Sequence, residues 1–320
     1  MTAHLIPADE ILDRFRADLD ALVGGSERIG VAVSGGPDSL ALLLLTAAAR
    51  PGMVEAATID HGLRAESRAE AAFVADLCDQ LDITHHSVRV SVSRAASLQA
   101  QARGARYRAL GDWAIEQSLD AVATAHHADD QAETLLMRLA RGAGLSGLSA
   151  TRRNRVLEPG VQLVRPLLDW RRSDLAAVIA DAGLTAIDDP SNRDPRHDRS
   201  RFRGLVEQSE WADTQRLALS AQWLSEADEA LEWAMRDLVE ARIGEDGSGI
   251  ALDAGDLPRE LQRRLLLAAF DRLGAARPRG PELDRAMRSL ANGRKSTLSG
   301  LKLVGGARWH LSPAPARRKR

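Results

Sequence analysis

The sequence predicts an α/β protein, with a parallel, doubly wound, Rossmann-like sheet followed by a second, smaller, mainly helical domain. Three observations support this prediction. Short β-prone runs alternate with helical patterns through the first half of the chain, as in βαβ units. A glycine-containing turn joins the first of these runs to the first helical pattern. After about residue 209, long helical patterns replace the alternation.

The β-prone runs of the first half cover residues 28–33, 54–59, 83–90 and 121–125. Helical patterns follow them: one from the turn to about residue 50, and others at residues 65–81, 94–118 and 130–141. Ligands of parallel sheets bind beyond the carboxyl ends of the strands. Ser34, Asp60 and the pair His126 and His127 all lie at such ends, so we expect them to share one cleft.

The second half has a different pattern. Residues 211–242 form one long helical pattern, which the glycines of segment 244–249 interrupt. Further helices are predicted at residues 259–273 and 282–290, and residues 296–311 are β-prone and rich in glycine. We therefore predict two domains, at residues 1–208 and 209–320.

Composition sets the broad class of protein. Hydrophobic residues make up 44% and charged residues 28% of the 320 positions, as in ordinary globular proteins. The single Cys78 excludes a disulfide framework and fits a reducing compartment. The longest apolar run, residues 40–49, is too short to span a bilayer, and residues 1–9 lack the features of a signal peptide. We expect a cytoplasmic protein without membrane contact.

Basic residues are unevenly distributed, although the net charge is only −2. Arginines cluster in segments 152–172 and 193–203, and residues 317–320 are all basic. Such clusters can neutralise the phosphates of a nucleic acid even on a mildly acidic protein. Taken alone, they are equally typical of solvated surfaces.

The turn after the first strand carries the strongest chemical signal. It consists of Ser34, Gly35, Gly36, Pro37, Asp38 and Ser39. Two glycines let backbone N–H groups approach an anion closely, and the N-terminus of the next helix adds its positive end. A carboxylate is useful beside phosphate when Mg²⁺ bridges the two, so Asp38 predicts a metal. The alternative is a helix entry with serine or aspartate capping. The Walker ending of P-loop NTPases is missing from this turn.

Polar motifs follow the other predicted strands. Asp60, His61 and Gly62 follow the second strand, and in isolation they are equally typical of a turn. Arg103 and Arg106 lie three residues apart on one helix face, where they form either a phosphate clamp or a solvated surface.

Segment 123–134 combines two histidines with two aspartates. Asp130 and Glu133 have the spacing of a capping box, which is a purely structural explanation for both. The four side chains match no standard zinc-ligand spacing.

The turn at residues 34–39 resembles the PP-loop of enzymes that cleave ATP to AMP and pyrophosphate. Together with segments 59–64, 102–107, 123–148, 164–168 and 189–194, it resembles the tRNA(Ile)-lysidine synthetase family, in the short form without an extra C-terminal domain. The resemblance spans about residues 28–203. The chain departs from the usual family pattern at Thr151, His197, Ser200 and Phe202.

The resemblance implies a reaction and its participants. ATP adenylates the wobble cytidine of an isoleucine tRNA with a CAU anticodon, and the ε-amine of L-lysine then displaces AMP. ATP and Mg²⁺ are the implied cofactors, tRNA(Ile) and free L-lysine the implied partners. Oligomeric state is left open, a homodimer being one option.

The same resemblance implies roles for individual residues. The implied ATP-binding residues are Ser34, Gly35, Gly36, Pro37, Asp38, Ser39, Asp60, His61 and Gly62. The implied catalytic residues are Asp38, Arg106 and Asp130, of which Asp38 and Asp130 would hold Mg²⁺. The implied contacts to tRNA or substrate are His127, Asn192, Arg199 and Arg203.

Two other functions fit part of the sequence. A tRNA thiolase of the same class would also use ATP, but sulfur transfer needs cysteines, and this chain has only Cys78. A non-catalytic, ATP-sensing RNA-binding module would explain the glycine-rich turn and the arginines. It would leave Asp38, Arg106 and Asp130 without a purpose.

Overall fold

A computed structural model describes residues 5–60, 66–90, 98–187 and 198–315 of the chain. The chain divides into two compact units, Met1–Ser225 and Glu226–Arg320. The division lies inside one long helix, α9 (Thr214–Arg242), and therefore C-terminal to the boundary that the change of sequence pattern predicts.

The first unit alternates strands and helices. Its helices are α1 (Asp9–Asp20), α2 (Pro37–Ala49), α3 (Glu66–Leu81), α4 (Leu98–Glu116), α5 (Ala128–Ala140), α6 (Leu145–Leu148), α7 (Arg172–Asp181) and α8 (Asp198–Glu207), and α9 begins in it. Its strands are β1 (Ile29–Ala32), β2 (Val54–Asp60), β3 (Thr84–Arg89), β4 (Ala121–Ala123), β5 (Asn154–Glu158) and β6 (Val161–Val164).

These strands form one sheet in the order β3-β2-β1-β4-β6-β5. The pairs β1–β2, β2–β3, β1–β4 and β4–β6 are parallel, and only the edge strand β5 runs antiparallel to its neighbour. The predicted α/β class is thus confirmed. Sequence patterns missed helix α1 and the β5–β6 hairpin, whose strands are too short and irregular to stand out.

Helices cover both faces of the sheet, as a doubly wound fold requires. On one face, α1, α2, α3 and α7 pack against strand residues such as Ile29 and Val31. On the other face, Leu110 and Trp113 of α4 pack against Val122 of β4. Helix α2 is buried along nearly its whole length, which explains why its sequence is apolar on every side.

Cys78 of α3 lies in the first of these cores and provides a test of the packing. It is fully buried, and this burial raises the pKa of its thiol to about 12. Because the thiolate is the reactive form, we expect the native protein to react with a thiol reagent at least about 100-fold more slowly than the unfolded chain. Absorbance measurements with Ellman's reagent, with and without guanidinium chloride, check this. Rapid labelling of the native protein would contradict the packing of α3.

The second unit contains more sheet than its sequence predicts. Strands β7 (Ile243–Asp246), β8 (Gly249–Leu252), β9 (Lys295–Leu298), β10 (Leu301–Val304) and β11 (Trp309–Pro313) form an antiparallel sheet in the order β7-β8-β11-β10-β9. Helices α10 (Arg259–Arg272) and α11 (Gly280–Ala291) form an apolar core with its buried face. The glycine-rich break predicted at residues 244–249 is a hairpin, with Gly247 at a positive φ of 57°.

None of the helices in the described ranges is long and apolar enough to cross a membrane.

Candidate active site

A cleft of about 310 Å³ opens at the carboxyl ends of β1, β2 and β4, where the strand order of a doubly wound sheet predicts a ligand site. It is lined by Ala32, Val33, Ser34, Gly36, Pro37, Asp38, Ser39, Ala57, Ile59, Arg106, Tyr107, Thr124, Ala125, His126, Asp130 and Arg199. The parallel pairing of β1 with both β2 and β4 brings these segments together. Polar side chains from four regions of the sequence therefore share one site.

The turn between β1 and α2 forms one wall of the cleft. Gly36 is the N-cap of α2 and Pro37 its first residue, so the helix begins at the cleft wall. The Ser39 hydroxyl donates to the Gly36 carbonyl (2.9 Å) and accepts from the Ser34 N–H (3.1 Å). Ser39 thus braces the turn internally. The Ser34 hydroxyl, 3.1 Å from that of Ser39, faces the cleft with it.

The two glycines of the turn differ in how well their positions tolerate a side chain, so their alanine variants form a matched pair. Gly35 has φ +80°, and an added Cβ would lie 2.6 Å from Cδ1 of Ile187. We expect Gly35→Ala to lower the free energy of unfolding by about 1–2 kcal/mol or more, because L-residues are strained in this region. Gly36 has φ −75°, and its nearest neighbour would be Ser34 Oγ at 3.7 Å. Gly36→Ala should change stability by less than about 0.5 kcal/mol. Urea unfolding checks both, and equal stability of the two variants would contradict the geometry of the turn.

His127, the N-cap of α5, lies beneath the cleft among three aspartates. Its Nε2 is 3.4 Å from an Asp38 oxygen and 3.7 Å from an Asp130 oxygen, and its Nδ1 is 3.4 Å from Asp129. Burial favours the neutral imidazole, but the nearby carboxylates of Asp130, Asp129 and Asp38 raise the pKa of His127 to about 9. Burial likewise opposes ionisation of Asp130, yet the charges of His127 and Arg199 lower its pKa. A cationic histidine thus holds two carboxylates at the cleft.

The two consecutive histidines have different surroundings. His127 is only 1% exposed and does not line the cleft, and it lies where it can hold Asp38 and Asp130. Its neighbour His126 does line the cleft, with Nδ1 3.1 Å from the Thr124 hydroxyl. Burial lowers the pKa of His126 to about 3, which makes it neutral at physiological pH. The substrate contact that the resemblance implies for His127 stays a prediction; of the two histidines that the sequence places at the end of this strand, His126 is the one that lines the cleft.

Glu133 is a second residue whose role the sequence did not reveal. It is 2% exposed, and its carboxylate accepts from Nε of Arg199 at 2.9 Å and Nε of Arg203 at 2.8 Å. Arg199 also lies 3.0 Å from Asp130 and lines the cleft. Arg203 lines a separate cavity, beside Asp129 and Glu133. Helix α8 is thereby tied to α5, and Glu133 is no capping partner of Asp130: α5 begins earlier, at Ala128.

Of the other predicted site residues within the described ranges, only Arg106 is found in the cleft. Arg106 lines the cleft beside Tyr107. Asp60 is nearly buried at the end of β2, but Ala57 and Ile59 line the cleft and Asp60 does not. His61, Gly62 and Asn192 lie outside the described residues.

Two carboxylates of the cleft, those of Asp38 and Asp130, are candidate ligands of a metal ion. Asp38 Oδ1 is buried without a hydrogen-bond partner, and Asp38 and Asp130 both approach the same nitrogen of His127. Mg²⁺ is commonly held by one or two carboxylates together with substrate phosphates, and this donor set fits that pattern. Within the described ranges, no group of three or more histidine, cysteine or acidic side chains has the geometry of a preformed metal site.

Comparisons with known proteins agree with this geometry. The family model of the PP-loop domain matches residues 10–210, so fold and site define an ATP-using α/β protein of the PP-loop class. The tRNA(Ile)-lysidine synthase of Novosphingobium aromaticivorans is 49% identical over 312 residues, covering 95% of this chain and 94% of that protein. The chain belongs to the tRNA(Ile)-lysidine synthase family, as its motifs predict.

Other similar proteins support the assignment of family and fold. The tRNA(Ile)-lysidine synthase of Zymomonas mobilis is 44% identical over 299 residues, covering 92% of this chain and 91% of that protein. Among solved structures, the U34-tRNA thiolase of Methanococcus maripaludis, with its 4Fe-4S cluster, aligns with a TM-score of 0.54 at 16% identity. That alignment covers 69% of this chain and 78% of the thiolase chain, and it shows a shared fold alone.

Proposed function

We propose that this protein is a tRNA(Ile)-lysidine synthetase, a ligase that forms a carbon–nitrogen bond at the wobble cytidine of the isoleucine tRNA with a CAU anticodon. The observation that carries the proposal is the convergence of Asp38, Arg106 and Asp130 on one cleft at the N-terminus of α2. A turn of this kind binds phosphate, and the other side chains are charged groups suited to phosphoryl chemistry. Family membership supplies the substrate.

In the first step, the ring carbonyl oxygen of the cytidine attacks the α-phosphate of ATP, and pyrophosphate leaves. The apolar wall of Ala32, Val33 and Ile59 suits the adenine base, and the turn at residues 34–39 suits the phosphates. Arg106, a rigid donor fork, would stabilise the charge that builds on the leaving pyrophosphate. Asp38 and Asp130 would hold Mg²⁺, which would offset the same charge when bound.

In the second step, the ε-amine of lysine attacks the activated ring carbon, and AMP leaves with the former carbonyl oxygen. The amine must be neutral to attack, but its free pKa is about 10.4. Either a carboxylate such as Asp130, which lines the cleft, or desolvation of the amine would favour the loss of this proton. We assign the lysine substrate to this step from its chemistry and from the family.

The thiolase alternative lacks support among the residues of the cleft. Sulfur transfer through a persulfide or an iron–sulfur cluster requires cysteine ligands. The only cysteine of this chain, Cys78, is buried in the core and does not line the cleft. Nothing in the site favours thiolation over attack by an amine.

Pyrophosphate exchange tests which molecule receives AMP first. We expect exchange of labelled pyrophosphate into ATP to require the isoleucine tRNA but not lysine, because activation occurs on the RNA. Replacing the wobble cytidine with uridine should reduce exchange by up to ~10⁴-fold. A site that hydrogen-bonds the polar edge of one base strongly disfavours a base that lacks the matching groups.

Labelled lysine completes the test. Its incorporation into the same tRNA, and not into the uridine variant, is expected once ATP is present. Exchange with lysine in the absence of tRNA would instead indicate activation of the lysine carboxylate, and the proposed function would be wrong.

A further inference from the structure

Four arginines surround Tyr107 beside the cleft, and together we name them the Tyr107 cluster: Arg103 and Arg106 of α4, Arg155 of β5, and Arg165 directly after β6. The guanidinium carbons of Arg103 and Arg155 lie 5.1 Å and 4.7 Å from the centre of the Tyr107 ring, within cation–π distance. Arg165 also lies close to Tyr107. Residues from three separate segments thus fix one aromatic ring.

In the part of the chain that the structure describes, no acidic side chain balances the charge of this cluster. No carboxylate of the described ranges pairs with any of the four arginines, whereas Arg199 and Arg203 share Glu133. Arg165 is only 3% exposed, and its burial without an acidic partner lowers the pKa of its guanidinium. Holding like charges together in this way is unfavourable in the free protein. It becomes favourable when an anion from outside binds among them.

The position of the cluster indicates the size of that anion. Tyr107 and Arg106 line the cleft, but Arg103 and Arg155 contact Tyr107 without lining it. Positive charge therefore continues from the cleft onto the neighbouring surface. Arg106 can bind a nucleotide inside the cleft. Arg103 and Arg155 are therefore available to a ligand that extends out of the cleft.

We propose that the Tyr107 cluster binds the sugar–phosphate backbone of a single-stranded RNA segment that flanks the nucleotide entering the cleft. This inference rests on the proposed function, which makes RNA the substrate. Arginine forks bind phosphate oxygens in pairs, and arginine and aromatic planes are the surfaces on which unpaired bases stack.

The test is the double variant Arg103→Gln with Arg155→Gln. Both side chains are exposed, so we expect the fold to persist, as thermal unfolding would check. The probe is an unmodified transcript of the isoleucine tRNA with a CAU anticodon, together with its anticodon stem–loop alone. We expect at least about tenfold weaker binding of both RNAs. The slope of log affinity against log salt should fall by about 1 for each arginine removed. The affinity for ATP should stay within about twofold of wild type, because neither residue lines the cleft.

Arg108→Gln is the matched control, because Arg108 is an exposed arginine on another face of α4. It should leave RNA affinity and salt slope unchanged. An unchanged salt slope in the double variant would overturn the proposal, as would an equal loss in Arg108→Gln or a parallel loss of ATP affinity. Lysine incorporation by the wild-type protein is measured alongside. If wild type modifies the tRNA but the double variant binds it normally, only the cluster proposal fails. If wild type neither binds nor modifies it, the proposed function fails too.

Discussion

Replacing Asp38 with asparagine should reduce tRNA-dependent AMP formation by about 10³-fold or more while leaving the fold intact. Asp38 lies in the first turn of α2, at the wall of the cleft, and its Oδ1 is buried without a hydrogen-bond partner. Beside phosphates, a carboxylate there is favourable only with a cation between them, and asparagine cannot hold Mg²⁺ in the same way. Loss of one preorganised electrostatic contact of this kind typically costs about 10²–10³ in rate, and loss of the metal should cost more.

The measurement is AMP release with ATP, lysine and the isoleucine tRNA, at several Mg²⁺ concentrations. Asp9→Asn is the matched control, since Asp9 also lies in the first turn of a helix but is exposed and does not line the cleft. It should retain wild-type activity and Mg²⁺ dependence. Turnover by Asp38→Asn within a few-fold of wild type would show that Asp38 is not a metal ligand.

Much of the first unit could be predicted from its sequence because its strands are short apolar runs with clear ends. Residues 54–59 and 121–125, for example, were predicted as strands, and β2 and β4 lie there. The turn at residues 34–39 was equally predictable, because its glycines, proline and aspartate each have a recognisable structural or chemical role at their positions. The family assignment that followed from these motifs is confirmed by relatives of 44% and 49% identity.

The second unit was harder to predict. Each of its strands β7 to β10 has only four residues, and one face of the sheet is exposed, so the apolar pattern of any single strand is short. The segment 244–249 was predicted only as the end of a helix, because glycines are common both at helix ends and in the turns of hairpins. Pairing between β8 and β11, which lie far apart along the chain, stabilises the hairpin and has no local signature.

Only those parts of the site that lie within local sequence motifs could be predicted. Sequence spacing could not decide which of His126 and His127 faces the cleft, since consecutive residues point in different directions and burial decides between them. The role of Glu133 was harder to predict from the sequence. Its three-residue spacing from Asp130 suggests a cap, whereas its partner Arg199 is 66 residues away and comes close only through the fold.

Replacing Glu133 with glutamine should destabilise the first unit and reduce activity strongly. Glutamine keeps the shape of the side chain but removes the charge that Arg199 and Arg203 share. Removing one partner of a buried ion pair typically costs about 3–5 kcal/mol, and we expect about 3 kcal/mol because the Arg199 side chain is 44% exposed and its interaction is partly screened. Activity should fall because Arg199 also holds Asp130 at the cleft. Urea unfolding and AMP release measure the two effects.

Glu207→Gln is the control for this prediction, because Glu207 is an exposed acid on α8, the helix that carries both arginines. It should leave stability within about 0.5 kcal/mol of wild type. A double-mutant cycle with Arg199→Gln isolates the interaction itself: the second substitution should cost much less once Glu133 is already glutamine. Additive losses, or a Glu133→Gln protein as stable and active as wild type, would mean that Glu133 does not hold α8 and Asp130 at the cleft.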